Sequence, residues 1–320
     1  MYKGSITDVQ GIKVGHVQNN DAMTGCTAII CDKGATAGVD VRGGAPGTRE
    51  TDLLRPENMI DKIHAVVLAG GSAFGLDAAS GAMAFLEEND IGFDVGVTKV
   101  PIVTSAVIFD LTIGDYRVRP DYKMGYEACR NATSEENRQG NIGCGLGATV
   151  GKILGEKSVM KSGLGTASLN IGDLWVGALV VVNCFGDVFD YKSNEQLIGA
   201  INKKDNQFIN TYEIMKNKDK LNFSGQNTTI GVVATNAKLT KAEANKVAQL
   251  GQNGLARSIN PIHTMLDGDT IFAISTGEVE VDINLVGTLA SEAVSMAISN
   301  GAKSADGYGA IPSWKDLKKL

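Results

Sequence analysis

Paired cysteines, clustered histidines and long apolar runs are all missing from this 320-residue chain. The five cysteines (Cys26, Cys31, Cys129, Cys144 and Cys184) are odd in number and scattered, with no CxxC pair. They are expected to be free thiols of a reducing, cytoplasmic compartment rather than a disulfide framework. The three histidines, His16, His64 and His263, lie far apart without HExxH spacing, so no metal site and no cofactor is expected. No apolar run reaches the ~18 residues of a membrane helix. The opening Met1-Tyr2-Lys3-Gly4-Ser5 has no apolar core of a signal peptide. Basic excess is also missing: the net charge is -6, so neither nucleic acid nor an anionic membrane is expected as a partner. No internal repeat stands out.

What is there is a globular composition. Hydrophobic residues make up 43% and charged residues 21%, and glycine is abundant at 39 residues without a collagen period, which points to tight turns and close backbone approaches. Short β-branched apolar runs at 26–31, 64–69, 101–109, 176–182, 228–235 and 270–275 predict buried strands. Amphipathic spacing predicts helices over Ala73–Glu88, over Thr240–Ala256 with a capping box from Thr240 and Glu243, and over Ile283–Ser299 capped by Asp282. Strands interspersed with helices fit a layered α/β or α+β domain. Residues 202–227 are rich in Lys, Asn and Asp and are expected to be mobile at least in part.

Two glycine-rich stretches imitate known motifs. Gly70-Gly71-Ser72-Ala73-Phe74 resembles a nucleophile elbow, but Phe74 replaces its second glycine; a tight strand-to-helix turn is expected instead. Gly147-Ala148-Thr149-Val150-Gly151-Lys152 resembles a phosphate loop, but Ile153 follows the lysine and Leu146 stands where the first glycine belongs. Lys152 still matters, because burial makes a lysine a tunable acid or base.

The junction Asn227-Thr228 carries the most chemistry. It lies where the polar stretch meets the apolar run Ile230–Thr235. A cut there would give Thr228 a free α-amino group beside its own hydroxyl, a base and a nucleophile on one residue. An α-amino group with a pKa of about 7.7–8.0 accepts a proton near neutrality. Three other places could assist. Asn183 ends the apolar run Val176–Val182 and could donate to an oxyanion, or simply form a turn. Lys152 sits in a glycine-rich loop. Asp267-Gly268-Asp269 precedes the strand at 270–275 and could orient the amine or a substrate ammonium, or form a turn.

Together with Gly11–His16, Val41–Thr48, Gly70–Leu76, Val100–Val103, Gly147–Lys152, Gly163–Ser168, Val176–Asn183 and Thr228–Asn236, these features resemble the L-aminopeptidase/D-esterase family. That family includes the β-peptidyl aminopeptidases and the endo-acting 6-aminohexanoate oligomer hydrolase. The resemblance spans almost the whole chain. It implies an α+β, four-layer αββα sandwich, like the N-terminal-nucleophile hydrolases but with different connectivity. It implies one domain, 1–320, that cuts itself into fragments 1–227 and 228–320. By the same resemblance Thr228 is the nucleophile, Lys152 and Asn183 assist it or form the oxyanion site, and Asp267 and Asp269 lie near the free amine and the substrate. The family often has a tyrosine near the oxyanion, and the region of Phe109 is where it would fall. The aminopeptidase branch has Ser and Glu at the two acidic places, so Asp-Gly-Asp and a Thr nucleophile look more like the oligomer-cutting branch. Small peptide or amide substrates and a homo-oligomer, a tetramer of cut heterodimers, are implied. An acyltransferase of the ornithine acetyltransferase type and an uncut, non-catalytic homologue are the alternatives.

Overall fold

The computed structural model describes residues 1–217 and 227–319. Nine strands form one mixed sheet: β1 (Lys13–Asn19), β2 (Thr24–Val41), β3 (Thr48–Arg49), β4 (Lys62–Ala69), β5 (Val103–Val107), β6 (Leu164–Ile171), β7 (Leu174–Asn183), β8 (Thr228–Ala237) and β9 (Thr270–Val279). Their order is β6-β7-β8-β9-β2-β4-β5-β3, with β1 paired to β2. The β8–β9 and β4–β5 pairs are parallel and the other pairs antiparallel. Every predicted strand is present with altered bounds: 101–109 shortens to Val103–Val107, 26–31 lengthens to Thr24–Val41, and the others gain a few residues. The sequence reading missed β1, β3 and β6.

The strands read as continuous apolar runs because both faces are covered. Side chains alternate between faces with period two. On β8, Val233 packs in a core with Val176, Val180 and Val182 of β7, Ile271 and Ala273 of β9, and two long helices, α4 (Lys241–Ser258) and α5 (Ile283–Ser304). Ile230, Val232 and Ala234 point the other way, joining Phe272 and Ile274 with Ile29, Val66, Leu68 and Ala106 of β2, β4 and β5. The far faces of β2 and β4, with Cys26, Ala28, Ala65 and Val67, pack on α1 (Ala78–Glu88) and α2 (Tyr122–Arg130). β2 bridges the two halves of the sheet. Its pairing with β4 shifts register between Ile30 and Ala35, where the strand bends.

The caps expected for α4 and α5 are formed. Glu243 Oε2 accepts from Thr240 N at 2.8 Å, Thr240 Oγ1 accepts from Glu243 N at 3.3 Å, and Asp282 Oδ1 accepts from Asn284 N at 2.7 Å. The first predicted helix is split: Ser72–Asp77 is a 3-10 turn entered through Gly71 in the left-handed region, and only Ala78–Glu88 is α-helical. The polar stretch expected to be mobile is folded over its first part. Ile201–Asn202 pairs with Gln207–Phe208, and a short helix follows at Thr211–Lys216. Buried Asp187 anchors this helix by accepting from Thr211 N and Oγ1 at 2.9 and 2.8 Å. The rest of that stretch, 218–226, lies outside the described residues. Among the described residues no helix is long and apolar enough to cross a membrane.

Candidate active site

Strand direction alone brings the candidate residues together. β7 and β8 are antiparallel, so the end of β7 lies beside the start of β8, with Asn183 opposite Thr228. β8 and β9 are parallel, so the approach to β9 lies at that same end, and Asn227 forms a parallel bridge to Asp267. Asn183, Asp267 and Asp269 are fully buried, and Asn227 and Thr228 nearly so.

The Asn227 carbonyl oxygen receives two hydrogen bonds. The Thr228 hydroxyl donates to it at 2.5 Å and the Gly268 N–H at 2.7 Å. The hydroxyl therefore sits against the carbonyl of the peptide bond that precedes it, and a backbone donor already faces the oxygen where negative charge would build. On its other side the Asp267–Asp269 backbone is clamped by Ala45 N on Asp267 O at 2.8 Å and Arg42 N on Asp269 O at 3.0 Å. Gly268 has no room to be anything else. A β-carbon there would lie 2.7 Å from Ala45 O and 2.9 Å from Thr228 Oγ1. Gly268→Ala should push that hydroxyl off the carbonyl and slow any reaction at the junction by at least tenfold. Densitometry of uncut chain against time, on denaturing gels, measures it, and an unchanged rate would show that the close fit is irrelevant to the reaction.

The surrounding polar groups are held in place by named partners. Asn183 Oδ1 accepts from Lys152 Nζ at 2.8 Å and Thr149 N at 3.1 Å, and its Nδ2 donates to Phe109 O at 3.1 Å. These bonds fix which end of the amide is which and leave one N–H of Nδ2 unassigned. Phe109 thus meets the site through its backbone oxygen. Lys152 Nζ also donates to Asn183 O at 3.1 Å. Its amine faces the interior while the residue as a whole is half-buried, and loss of solvent pulls its pKa down to about 8 against the opposing pull of Cys184, Asp267 and Asp110. The lysine of the would-be phosphate loop therefore turns inward to Asn183.

The two aspartates serve different partners. Asp269 Oδ1 accepts from Thr229 N at 2.7 Å, and its Oδ2 from His263 N and Nδ1 at 3.1 and 2.9 Å. Asp267 accepts from Thr264 N and Oγ1 and from Phe185 N. Burial first, then the Asp269 charge, pushes the Asp267 carboxyl up to about 6. Reading the sequence did not single out Gly268, His263 or Thr264. Only the glycine carried a signal, as the centre of Asp-Gly-Asp. A second buried group lies behind the site: Asp110 accepts from Gly71 N at 2.6 Å and Thr24 Oγ1 at 2.7 Å, and Lys161 Nζ donates to Leu146 O and Ala148 O at 2.8 and 2.7 Å.

A threonine hydroxyl, a side-chain amide and two buried carboxylates thus meet at the start of β8, an arrangement to set beside solved structures of the N-terminal-nucleophile hydrolase fold. The solved L-aminopeptidase D-Ala-esterase/amidase from Ochrobactrum anthropi, described as a variant of that fold, superposes with a TM-score of 0.70 at 19% identity, over 98% of this chain and 92% of the other. The model of peptidase family S58 matches residues 4–309, and the chain belongs to that family of peptidases. It is 40% identical to an uncharacterized aminopeptidase of Mycobacterium leprae, covering 97% of this chain and 93% of the relative. It is 30% identical to the 6-aminohexanoate-oligomer endohydrolase of Kocuria sp., covering 92% and 85%.

Proposed function

We propose that the protein cuts itself between Asn227 and Thr228 and then hydrolyses small peptides, amides or amino-acid oligomers with the exposed N-terminal Thr228. The observation that carries this reading is the Asn227 carbonyl oxygen held between Thr228 Oγ1 and Gly268 N–H. In the first phase Oγ1 bonds to the Asn227 carbonyl carbon and the C–N bond to Thr228 breaks, its nitrogen taking the hydroxyl proton. Water then hydrolyses the ester to an Asn227 carboxylate and a restored hydroxyl. In the second phase the freed Thr228 amine takes the hydroxyl proton, and the oxygen attacks a substrate carbonyl to give an acyl-enzyme that water clears. Asn183 Nδ2 is assigned to the oxyanion. Lys152 holds Asn183, and Asp267 and Asp269 fix the strand start around the amine.

The two fragments are expected to stay together as one domain. β8 and β9 of the smaller fragment would lie between β7 and β2 of the larger one, and this interleaving supports the reading. The three cores in series, between α4/α5, the two halves of the sheet and α1/α2, support a four-layer αββα arrangement. Homo-oligomers of the cut chain complete the proposal. N-terminal sequencing of the smaller fragment tests it: the expected start is Thr-Thr-Ile-Gly, and any other start moves the junction.

A further inference from the structure

The Asn227 end of the uncut chain is held at the junction by backbone hydrogen bonds. Asn227 is gripped at two backbone atoms on either side of a single Cα. Its N–H donates to Leu266 O at 2.9 Å, and its carbonyl oxygen accepts from Gly268 N at 2.7 Å. The Asn227 side-chain Nδ2 lies at 3.4 Å from the same Leu266 oxygen. Among the described residues, Asn227 supplies every hydrogen bond recorded to Leu266 O and Gly268 N.

Resting on the self-cutting reading above, we propose that departure of the Asn227 end leaves Leu266 O and Gly268 N–H as a cradle for the acyl residue of the substrate. The substrate class is then an α-aminoacyl or peptidyl amide, whose N–H lies one carbon from the carbonyl under attack. Both cradle atoms belong to the Leu266–Gly268 backbone, which stays. It is held by Ala45 N on Asp267 O and by the bonds of Asp267 to Thr264 and Phe185. Loss of the peptide bond frees the Thr228 nitrogen to move, which makes room for a carbonyl that is no longer bonded to it. A propionyl group leaves the Leu266 oxygen without a donor. A 6-aminohexanoyl group carries its N–H five carbons from the carbonyl carbon and meets both atoms only by folding back on itself, which costs chain entropy. An ester oxygen in place of the N–H sets two acceptors against each other. An acceptor stripped of its donor in a largely enclosed site costs about ten- to a hundredfold in rate.

The test uses the cut protein and four p-nitroanilides: N-acetylalanyl, its isostere O-acetyllactyl, propionyl and N-acetyl-6-aminohexanoyl. A burst of p-nitrophenol from p-nitrophenyl acetate first counts working Thr228 nucleophiles without calling on the Leu266 oxygen. A chain that stays uncut, or gives no burst, defeats the nucleophile reading itself. With the burst intact, N-acetylalanyl should release nitroaniline with a kcat/KM at least tenfold above each of the other three. Equal values for N-acetylalanyl and O-acetyllactyl, an N-acetyl-6-aminohexanoyl rate as high as either, or no release from N-acetylalanyl overturns the cradle and leaves the nucleophile standing.

Discussion

Thr228→Ala is expected to leave a single full-length chain where the parent protein gives fragments 1–227 and 228–320. The substitution removes the oxygen that touches the Asn227 carbonyl together with the γ-methyl, and keeps the backbone pairing of Thr228 with Asn183. The fold should therefore survive, with circular dichroism matching that of the parent. Amide hydrolysis should fall at least a thousandfold, because loss of a nucleophile removes the covalent route and not just one contact within it. Thr228→Ser keeps the hydroxyl and should still split. Denaturing gels after long incubation decide the matter. A Thr228→Ala chain that splits at the same bond shows that another group attacks it. A parent chain that never splits, beside an unsplit variant, removes the self-cutting step altogether.

Folding stability is expected to climb between pH 7 and about pH 8 and to decline above that. The climb belongs chiefly to Lys161, which is fully buried and whose Nζ, among the described residues, is bonded to two carbonyl oxygens. Burial pulls its pKa down to about 7, opposed by the Asp110 charge and reinforced by Lys152. An unfolded lysine titrates near 10.4. Between those values the unfolded chain holds a proton that the folded chain has lost, so stability grows with pH and is lost as pH falls through 7. Half-buried Lys152, lowered to about 8, adds a smaller part in the same direction. The slope for one such group is about 1.4 kcal/mol per pH unit.

The decline comes from the cysteines. Burial raises all five, Cys31 and Cys129 to about 12, so their contribution is whole below the unfolded value near 8.5 and is lost above it. Asp267, raised to about 6, loses its contribution mostly below pH 7, which keeps that region out of the comparison, and burial raises Asp110 and Asp187 in the same direction. Between pH 7 and 8.5 the two lysines add roughly 2.5 kcal/mol and the five cysteines take back about 2 kcal/mol, so thermal midpoints of Thr228→Ala, which stays in one piece, should rise by only about 1 °C at roughly 2 °C per kcal/mol. Adding Lys161→Met should turn that rise into a fall of about 2 °C. A rise of the same size in the double variant would assign it to other groups.

Sequence reading found the two long helices and most of the sheet because their apolar residues recur with clear periods. It failed where packing is done by small residues. Helix α2 buries Gly125, Ala128 and Cys129 rather than leucines. A β-carbon at Gly125 would come within 1.8 Å of Ala78 O, so the buried face is shaped for close approach to α1 and is built largely of small residues that do not stand out as apolar. β6 begins Leu164-Gly165-Thr166-Ala167-Ser168 and likewise lacks the bulky residues that mark a strand. The stretch at 202–217 reads as solvated polar chain, yet one buried aspartate, Asp187, and the apolar contacts of Ile209, Ile214 and Met215 hold it in place.

The sequence by itself, through local pattern and family resemblance together, named Thr228, Asn183, Lys152, Asp267 and Asp269 as candidates, and all five stand at strand ends or in turns, where polar side chains interrupt apolar runs. Tertiary structure decided what each of them touches. Whether Asn183 meets Thr228 depends on the antiparallel pairing of β7 with β8, and whether Asp267 meets Asn227 depends on β8 and β9 running parallel, neither of which any local pattern encodes. The most telling atoms, Leu266 O and Gly268 N–H, belong to the backbone. Every residue but proline carries both groups, so only the folded chain shows which pair has been left facing the bond.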